Sequence, residues 1–400
     1  MKSVQINTTC GIGSTGNICV GISKVLTENN IENYILYSAR SNGHPLGVQC
    51  ADDMYIKREA LKSRLFGNYG FNSHKETQKM IAELERIKPD VVHLHNIHGH
   101  DCNLEILIEY LKNNRIKLIW TFHDCWMFTG YCTYFSMSNC EKWKNGCYAC
   151  NQKQNYSFFF DRSKELYKRK KELFSGLDLT IVTPSKWLCD VVKQSFFKDY
   201  PVQVIYNGID LEIFKPTETD FRKKYNIKDS QKIVLGVSLE WGPRKGLDAF
   251  AELSKKLDAD KYKIVLVGTN PSVDKLLPDN IISIHRTENQ KELAGIYTAA
   301  DVFVNPTRDE VLGLVNIEAV ACGTPVITFN SGGSPECIDE TSGVVVDCDD
   351  VETLEKEVIR ICTEKPYSKE QCIEQSKKFD KNQRYKEYLR LYEGVITTRT

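Results

Sequence analysis

From Asn305 to Glu336 the chain reads NPTRDEVLGLVNIEAVACGTPVITFNSGGSPE. A strand end passes through Pro306 into an acidic loop, then a helix, a strand and a second glycine-rich turn. A helix that begins near Gly313 directs its unpaired backbone N–H groups and positive dipole end at whatever lies beside Glu310. Such a terminus receives anions. Glu318 falls about one turn inside that helix, where its carboxylate can accept hydrogen bonds from ligand hydroxyls. A ligand with hydroxyls on both sides of a diphosphate, such as a nucleotide sugar, fits this layout. Two solvated glutamates flanking an ordinary surface helix are the alternative.

Outward from this stretch, short apolar runs bounded by turn residues alternate with amphipathic stretches of helix length, the pattern of parallel α/β sheets. The first half predicts strands at 4–6, 34–37, 91–94, 117–121, 179–182 and 202–205, and the second half at 233–237, 264–267, 281–284, 302–304, 326–328 and 344–346. Between them, IYNGIDLEIFKP supplies a turn at Asn207 and Gly208 and a stop at Pro216, which sets the domain boundary near Phe214. The closing segment carries Tyr385, Tyr388, Leu389 and Tyr392 at helical spacing.

The 305–336 segment resembles that of the retaining glycosyltransferases of family 4, and the resemblance extends over nearly the whole chain. It implies the GT-B fold: two Rossmann-like parallel-sheet domains facing a central cleft. Residues 1–214 would form an acceptor domain with a cysteine-rich insertion at 130–151, and 215–379 a nucleotide-sugar domain. Residues 380–400 would be a helix crossing back to the first domain. The position of Glu310 implies contact with the donor sugar and that of Glu318 a hold on the ribose. The backbone of Gly313 and Leu314 would face the diphosphate or sugar.

A diphosphate needs cations, since leaving-group charge grows during transfer. In EWGPRKG, residues 240–246, Lys245 matches the family's phosphate lysine. Where relatives carry an arginine shortly before that lysine, this chain has Leu239 and Glu240. Either Arg244 substitutes for it or Arg244 is a solvated helix-start residue. The loop NTTCGIGSTGN places Gly11, Gly13 and Gly16 before a helix expected near Asn17, and small residues there let backbone amides approach an anion. The resemblance assigns Gly13 and Gly16 to the donor phosphates.

At the end of a parallel strand, where ligands of such sheets collect, sits TFHD. His123 matches a histidine lining the family's sugar pocket, where its ring can donate to a hydroxyl, and Asp124 would orient it or contact the acceptor. The run VVHLHNIHGH brings His93, His95, His98 and His100 together, but strand alternation and the lack of a carboxylate partner other than Asp101 argue against a metal there. His95 and Asn96 are expected to line the acceptor side. No pair of carboxylates spaced as in a retaining hydrolase is evident. A front-face displacement without a divalent cation follows from the family, and no DxD motif is present.

Cys132, Cys140, Cys147 and Cys150 include one CxxC pair, half of a tetrahedral thiolate zinc site; buried thiols or disulfides are the alternatives. In the next stretch, Phe159, Leu166, Leu173 and Phe174 could share a face, with Lys164, Lys168, Arg169, Lys170 and Lys171 crowding the others. That pattern suits either a membrane-interfacial helix or a surface helix packed on the sheet.

The chain of 400 residues can bury two cores without a metal or disulfide staple. It carries 53 basic and 53 acidic residues, which argues against bulk nucleic-acid binding. The 15 cysteines are scattered, the opening MKSVQIN lacks a charged and apolar leader, and no run reaches the roughly 18 to 20 apolar residues of a membrane span. A cytosolic location follows as the expectation, with the inner face of the plasma membrane as a site of peripheral contact. The expected activity is retaining, hexosyl-type transfer from a UDP- or GDP-sugar to a glycan or lipid-linked acceptor in cell-surface polysaccharide synthesis. A non-catalytic sugar-nucleotide or glycan binding module on the same scaffold is the alternative. A nicotinamide-dependent oxidoreductase lacks its fingerprint here.

Overall fold

The computed structural model describes residues 1–397. All strand pairings are parallel, and they form two sheets. In the first, β1 (Lys2–Asn7), β2 (Glu32–Tyr37), β3 (Gly47–Gln49), β4 (Val91–Leu94), β5 (Lys117–Thr121), β6 (Leu179–Thr183) and β7 (Val202–Val204) lie in the order 3-2-1-4-5-6-7. In the second, β8 (Lys232–Val237), β9 (Tyr262–Val267), β10 (Ile281–Ile284), β11 (Val302–Asn305), β12 (Val326–Phe329) and β13 (Gly343–Val346) lie in the order 10-9-8-11-12-13. Each order reverses beside the first strand of its sheet, at β1/β4 and at β8/β11. These reversals are the switch points of doubly wound sheets, beyond whose strand carboxyl ends ligands settle. All twelve expected strands form. The short β3 was not anticipated, because GVQ is only half-buried and carries no alternating pattern.

Central strands such as VVHL in β4 are buried along their whole length, as strands covered on both faces must be. In the second unit Val234, Phe250, Leu266, Ile327 and Val358 belong to one core. In the first, Ile18, Ile22, Val91 and Ile119 pack with Tyr388 and Tyr392 of the closing helix Lys381–Thr397. The last three positions of the expected terminal segment, 398–400, lie outside the described residues.

The chain divides into one compact unit of residues 1–206 with 384–400 and a second of 207–383. The break precedes the point expected at Phe214. Residues beyond Asn207 bond within the second unit: Ile209 N–H donates to the Phe379 carbonyl at 2.9 Å, Lys381 N–H donates to the Ile209 carbonyl at 3.0 Å, and Lys381 pairs with Asp210. Phe214 packs on Tyr297. Among the described residues no helix is long and apolar enough to cross a membrane.

Candidate active site

The second unit builds its site at the end of β11. Asn305 Nδ2 donates to Asn316 Oδ1 at 2.8 Å, Asn316 Nδ2 to Ser334 Oγ at 3.0 Å, and Thr328 Oγ1 lies 2.9 Å from the same hydroxyl. This buried network fixes the strand end, the helix Leu314–Ala321 and the turn Ser334–Cys337 against one another. Gly313 caps that helix at φ 89° with no side-chain cap bond; the Asn316 N–H turns back to the Gly313 carbonyl at 2.9 Å, and among the described residues no side chain closes the N–H groups of Leu314 and Val315.

The loop between strand and helix is held from both sides. Arg308 grips Asp248 through two 2.8 Å bonds and Asp349 through one of 2.6 Å, and its N–H donates to the Arg244 carbonyl at 2.9 Å. Gly246, at φ 70°, lets the Lys245 turn approach; a Cβ there would lie 2.3 Å from the Pro306 carbonyl oxygen. Gly332, at φ 58°, approaches closer still, since its Cβ would lie 1.7 Å from the Glu310 carbonyl oxygen, which accepts the Gly333 N–H at 3.0 Å.

Within this frame Lys245 Nζ pairs with Glu310 Oε2, the two side chains being 17% and 16% exposed. The pair sits beside the helix start at Gly313. Arg244 directs its guanidinium to the Asp309 carbonyl at 3.1 Å. Glu318, on the helix behind, accepts from Tyr297 OH at 3.0 Å, and burial pushes its carboxyl up to about 7. Neither Tyr297 nor the Arg308 clamp was anticipated; Arg308 stands in the quoted stretch but reads there as one more loop cation.

The first unit gathers its polar residues where β1, β4 and β5 end. The helix after the glycine loop begins at Gly13, not near Asn17, so Gly13 and Gly16 both lie in its first turns. Beside Gly13 an added Cβ would meet nothing within 4 Å, whereas at Gly16 it would lie 2.8 Å from Thr9 Oγ1. His95 is buried and packs against His93 with ring centroids 4.0 Å apart and the planes tilted by 33°. His123, half-buried, places Nε2 3.1 Å from His95 Nδ1. Burial pushes His93 and His95 well below the ordinary histidine range and His123 down to about 4.

Asp124 does not orient His123. Its Oδ1 accepts the Trp126 N–H at 2.8 Å and its Oδ2 pairs with His98 Nε2 at 2.8 Å. Burial works against the Asp124 charge, yet His98 and these bonds hold its carboxyl below the usual range. Asn96 is fixed through its backbone, its N–H donating to Asn7 Oδ1 at 3.1 Å, while its side-chain oxygen is buried without a hydrogen-bond partner. The histidine run spends its ring nitrogens on protein groups: His93 meets Tyr392 OH and Thr121 Oγ1, each at 2.8 Å, and His98 Nδ1 meets Tyr69 OH at 3.2 Å.

In the cysteine-rich segment the Cys132 and Cys150 sulfurs stand 3.8 Å apart, the separation of two thiolates each about 2.3 Å from one tetrahedral zinc. Cys147 Sγ accepts from Gly130 N–H at 3.2 Å. Among the described residues no group of three or more histidine, cysteine or acidic side chains is arranged to hold a metal.

The following helix, Ser163–Phe174, corrects the expected basic face. Lys170 is buried: its Nζ donates to the Trp126 carbonyl at 2.7 Å and the Thr129 carbonyl at 3.1 Å, over the Trp126 ring. Leu166 and Phe174 are buried, whereas Phe159 lies before the helix and is 67% exposed between the exposed Phe158 and Phe160.

Known proteins resemble both units of the chain. The profile of Glycosyltransferase Family 4 matches residues 16–213 and that of Glycosyl transferases group 1 matches residues 217–379. Escherichia coli K12 WcaC, named as a glycosyl transferase of colanic acid biosynthesis, is 23% identical over 372 residues, 88% of each chain. A sucrose-phosphate synthase of Thermosynechococcus elongatus superposes with a TM-score of 0.71 at 17% identity, over 99% of both chains. HepE of Anabaena, solved in complex with UDP, superposes with a TM-score of 0.69 at 14% identity, over 98% of this chain and 100% of that one. With its two parallel-sheet α/β domains and these matches along both, the chain belongs to family 4 of the GT-B glycosyltransferases, the glycosyl transferases group 1.

Proposed function

We propose that this protein is a hexosyl-type transferase that moves a sugar from a UDP- or GDP-sugar to a glycan or lipid-linked acceptor, with retention, in cell-surface polysaccharide assembly. The carrying observation is the Lys245–Glu310 pair beside the open helix start at Gly313, with Glu318 behind it. Lys245, Arg244 and the N–H groups after Gly313 and Leu314 receive the diphosphate, Glu310 contacts the sugar and Glu318 takes the ribose hydroxyls. In the first domain, Gly13 and Gly16 belong to the phosphate-facing loop, His123 to the sugar, and His95, Asn96 and Asp124 to the acceptor side.

The step is a front-face displacement. The bond from the anomeric carbon to the phosphate oxygen breaks, the acceptor oxygen bonds on the same face, and the departing diphosphate takes the acceptor's proton. Charge on that leaving group is what Lys245 and the helix terminus stabilise, so the step requires no divalent ion.

Support for the polysaccharide assignment comes from the name of WcaC, and for the nucleotide from the UDP bound to HepE. A peripheral membrane location is proposed from the exposed Phe158–Phe160 tip, whose Phe158 lies under the Arg64 guanidinium. Turnover of several nucleotide sugars, with acceptor and by hydrolysis alone, tests the activity with Lys245→Ala as the diagnostic variant. We expect about a 100-fold to 1,000-fold loss of kcat in a folded protein. Near-normal turnover in that variant sinks the assignment, and nucleotide-sugar binding by the wild-type protein without any turnover points to a binding module.

A further inference from the structure

We propose that His123 meets its ligand as a hydrogen-bond acceptor through Nδ1, and that Gln5 and His95 are the positioning residues that lock it in that form. The relay begins at a backbone carbonyl. Gln5 Nε2 donates to the Cys19 carbonyl at 3.0 Å, and only the amide nitrogen can do so. The Gln5 amide is thereby oriented, and its Oε1 faces His95 Nε2 at 3.1 Å. An amide oxygen only accepts, so His95 Nε2 carries the proton. His95 is fully buried and packed against a second imidazole 4.0 Å away, so it stays neutral and its Nδ1 holds a lone pair. That lone pair lies 3.1 Å from His123 Nε2, which must donate to it. A neutral His123 then has an unprotonated Nδ1, and among the described residues nothing bonds to it.

The relay fixes the chemistry of what His123 can hold. A hydroxyl that donates its proton fits; an ionised phosphate or carboxylate oxygen meets a lone pair and does not. This reverses the expectation that the ring donates to a sugar hydroxyl. Gln5 is legible afterwards as a fully buried polar side chain in the middle of β1, far from solvent and with no other use for its oxygen. Identification of the ligand as a sugar rests on the transferase reading, whereas the tautomer does not.

Long-range proton–nitrogen correlation spectra of the full chain labelled with nitrogen-15 histidine decide the tautomer directly. His123, assigned from the signals lost in His123→Asn, should show a pyrrole-type Nε2 and a pyridine-type Nδ1; the opposite pattern overturns the proposal even if the protein is an active transferase. Gln5→Met removes the oxygen and should release His95 and His123 into mixed tautomers, with kcat/KM falling about 10-fold. Unchanged tautomer and unchanged kcat/KM in a folded Gln5→Met protein overturn the positioning role. With singly modified sugars, the hydroxyl facing His123 should tolerate fluorine no better than hydrogen, because neither donates; a fluoro-sugar that rescues the deoxy-sugar refutes an accepting Nδ1. If no sugar is turned over but the spectra agree, the transferase reading fails and the tautomer assignment stands.

Discussion

Replacing Glu318 by glutamine should strengthen the apo protein while weakening its hold on nucleotide. Burial raises the Glu318 carboxyl from its ordinary 4.5 to about 7. The folded state therefore binds this proton more tightly than the unfolded chain does. Stability is fully present below the ordinary value and is lost as the pH rises from about 4.5 to about 7, after which it levels off. At about 1.4 kcal/mol per unit the full loss is about 3 kcal/mol near pH 8. Residual contact of the carboxylate with solvent reduces this to about 1.5 kcal/mol. Glutamine cannot ionise, and its amide oxygen keeps the bond from Tyr297 OH. Scanning calorimetry near pH 8 should show the Tm of Glu318→Gln raised by about 3–6 °C, and near pH 5 by about a third of that or less. In titration calorimetry the variant should bind UDP or GDP about 10-fold more weakly, because a charged acceptor is exchanged for a neutral one at the ribose. A variant no more stable than wild type near pH 8, or equally stabilised at both pH values, refutes the reasoning from burial. Undiminished affinity removes Glu318 from the ribose.

Three further outcomes are expected. Gly332→Ala places a methyl group 1.7 Å from the Glu310 carbonyl oxygen and must move that residue, so turnover should drop about 100-fold while the far-ultraviolet dichroism is kept; wild-type turnover would show that the position of Glu310 is not critical. Transfer in the presence of EDTA should stay within about twofold of the untreated rate, and less than about a tenth of an equivalent of zinc in protein purified without chelator would discard the thiolate site. Flotation with anionic vesicles should carry the protein upward and fail after Phe159→Ser; absence of flotation in the wild type removes the membrane assignment.

Periodicity made the strands legible, since VVHL, KLIWT and IISI are apolar runs too short for helices and bounded by turns. Contacts between distant segments were not legible. Lys245 and Glu310 stand 65 positions apart, and the Gly246 approach to Pro306 together with the Arg308 N–H bond to the Arg244 carbonyl makes them neighbours. Lys170 misled because it stands in KRKK, which reads as a solvated face. Two carbonyls of the turn at Trp126 and Thr129 draw it inward, and no spacing rule announces that. The glycine loop concealed its own helix because a first turn at Gly13 has neither a capping side chain nor a strong helix former.

Tyr385, Tyr388, Leu391 and Tyr392 complete a core whose other buried members come from the first half of the chain. A ribosome delivers residues in order, so the segment from Asn207 to Gln383 is fully synthesised and able to close before the amino-terminal sheet receives its final aromatic wedge. The unit translated first is thus completed only after the one that follows it, and the Tyr392 hydroxyl that settles His93 is made after all of residues 207–383.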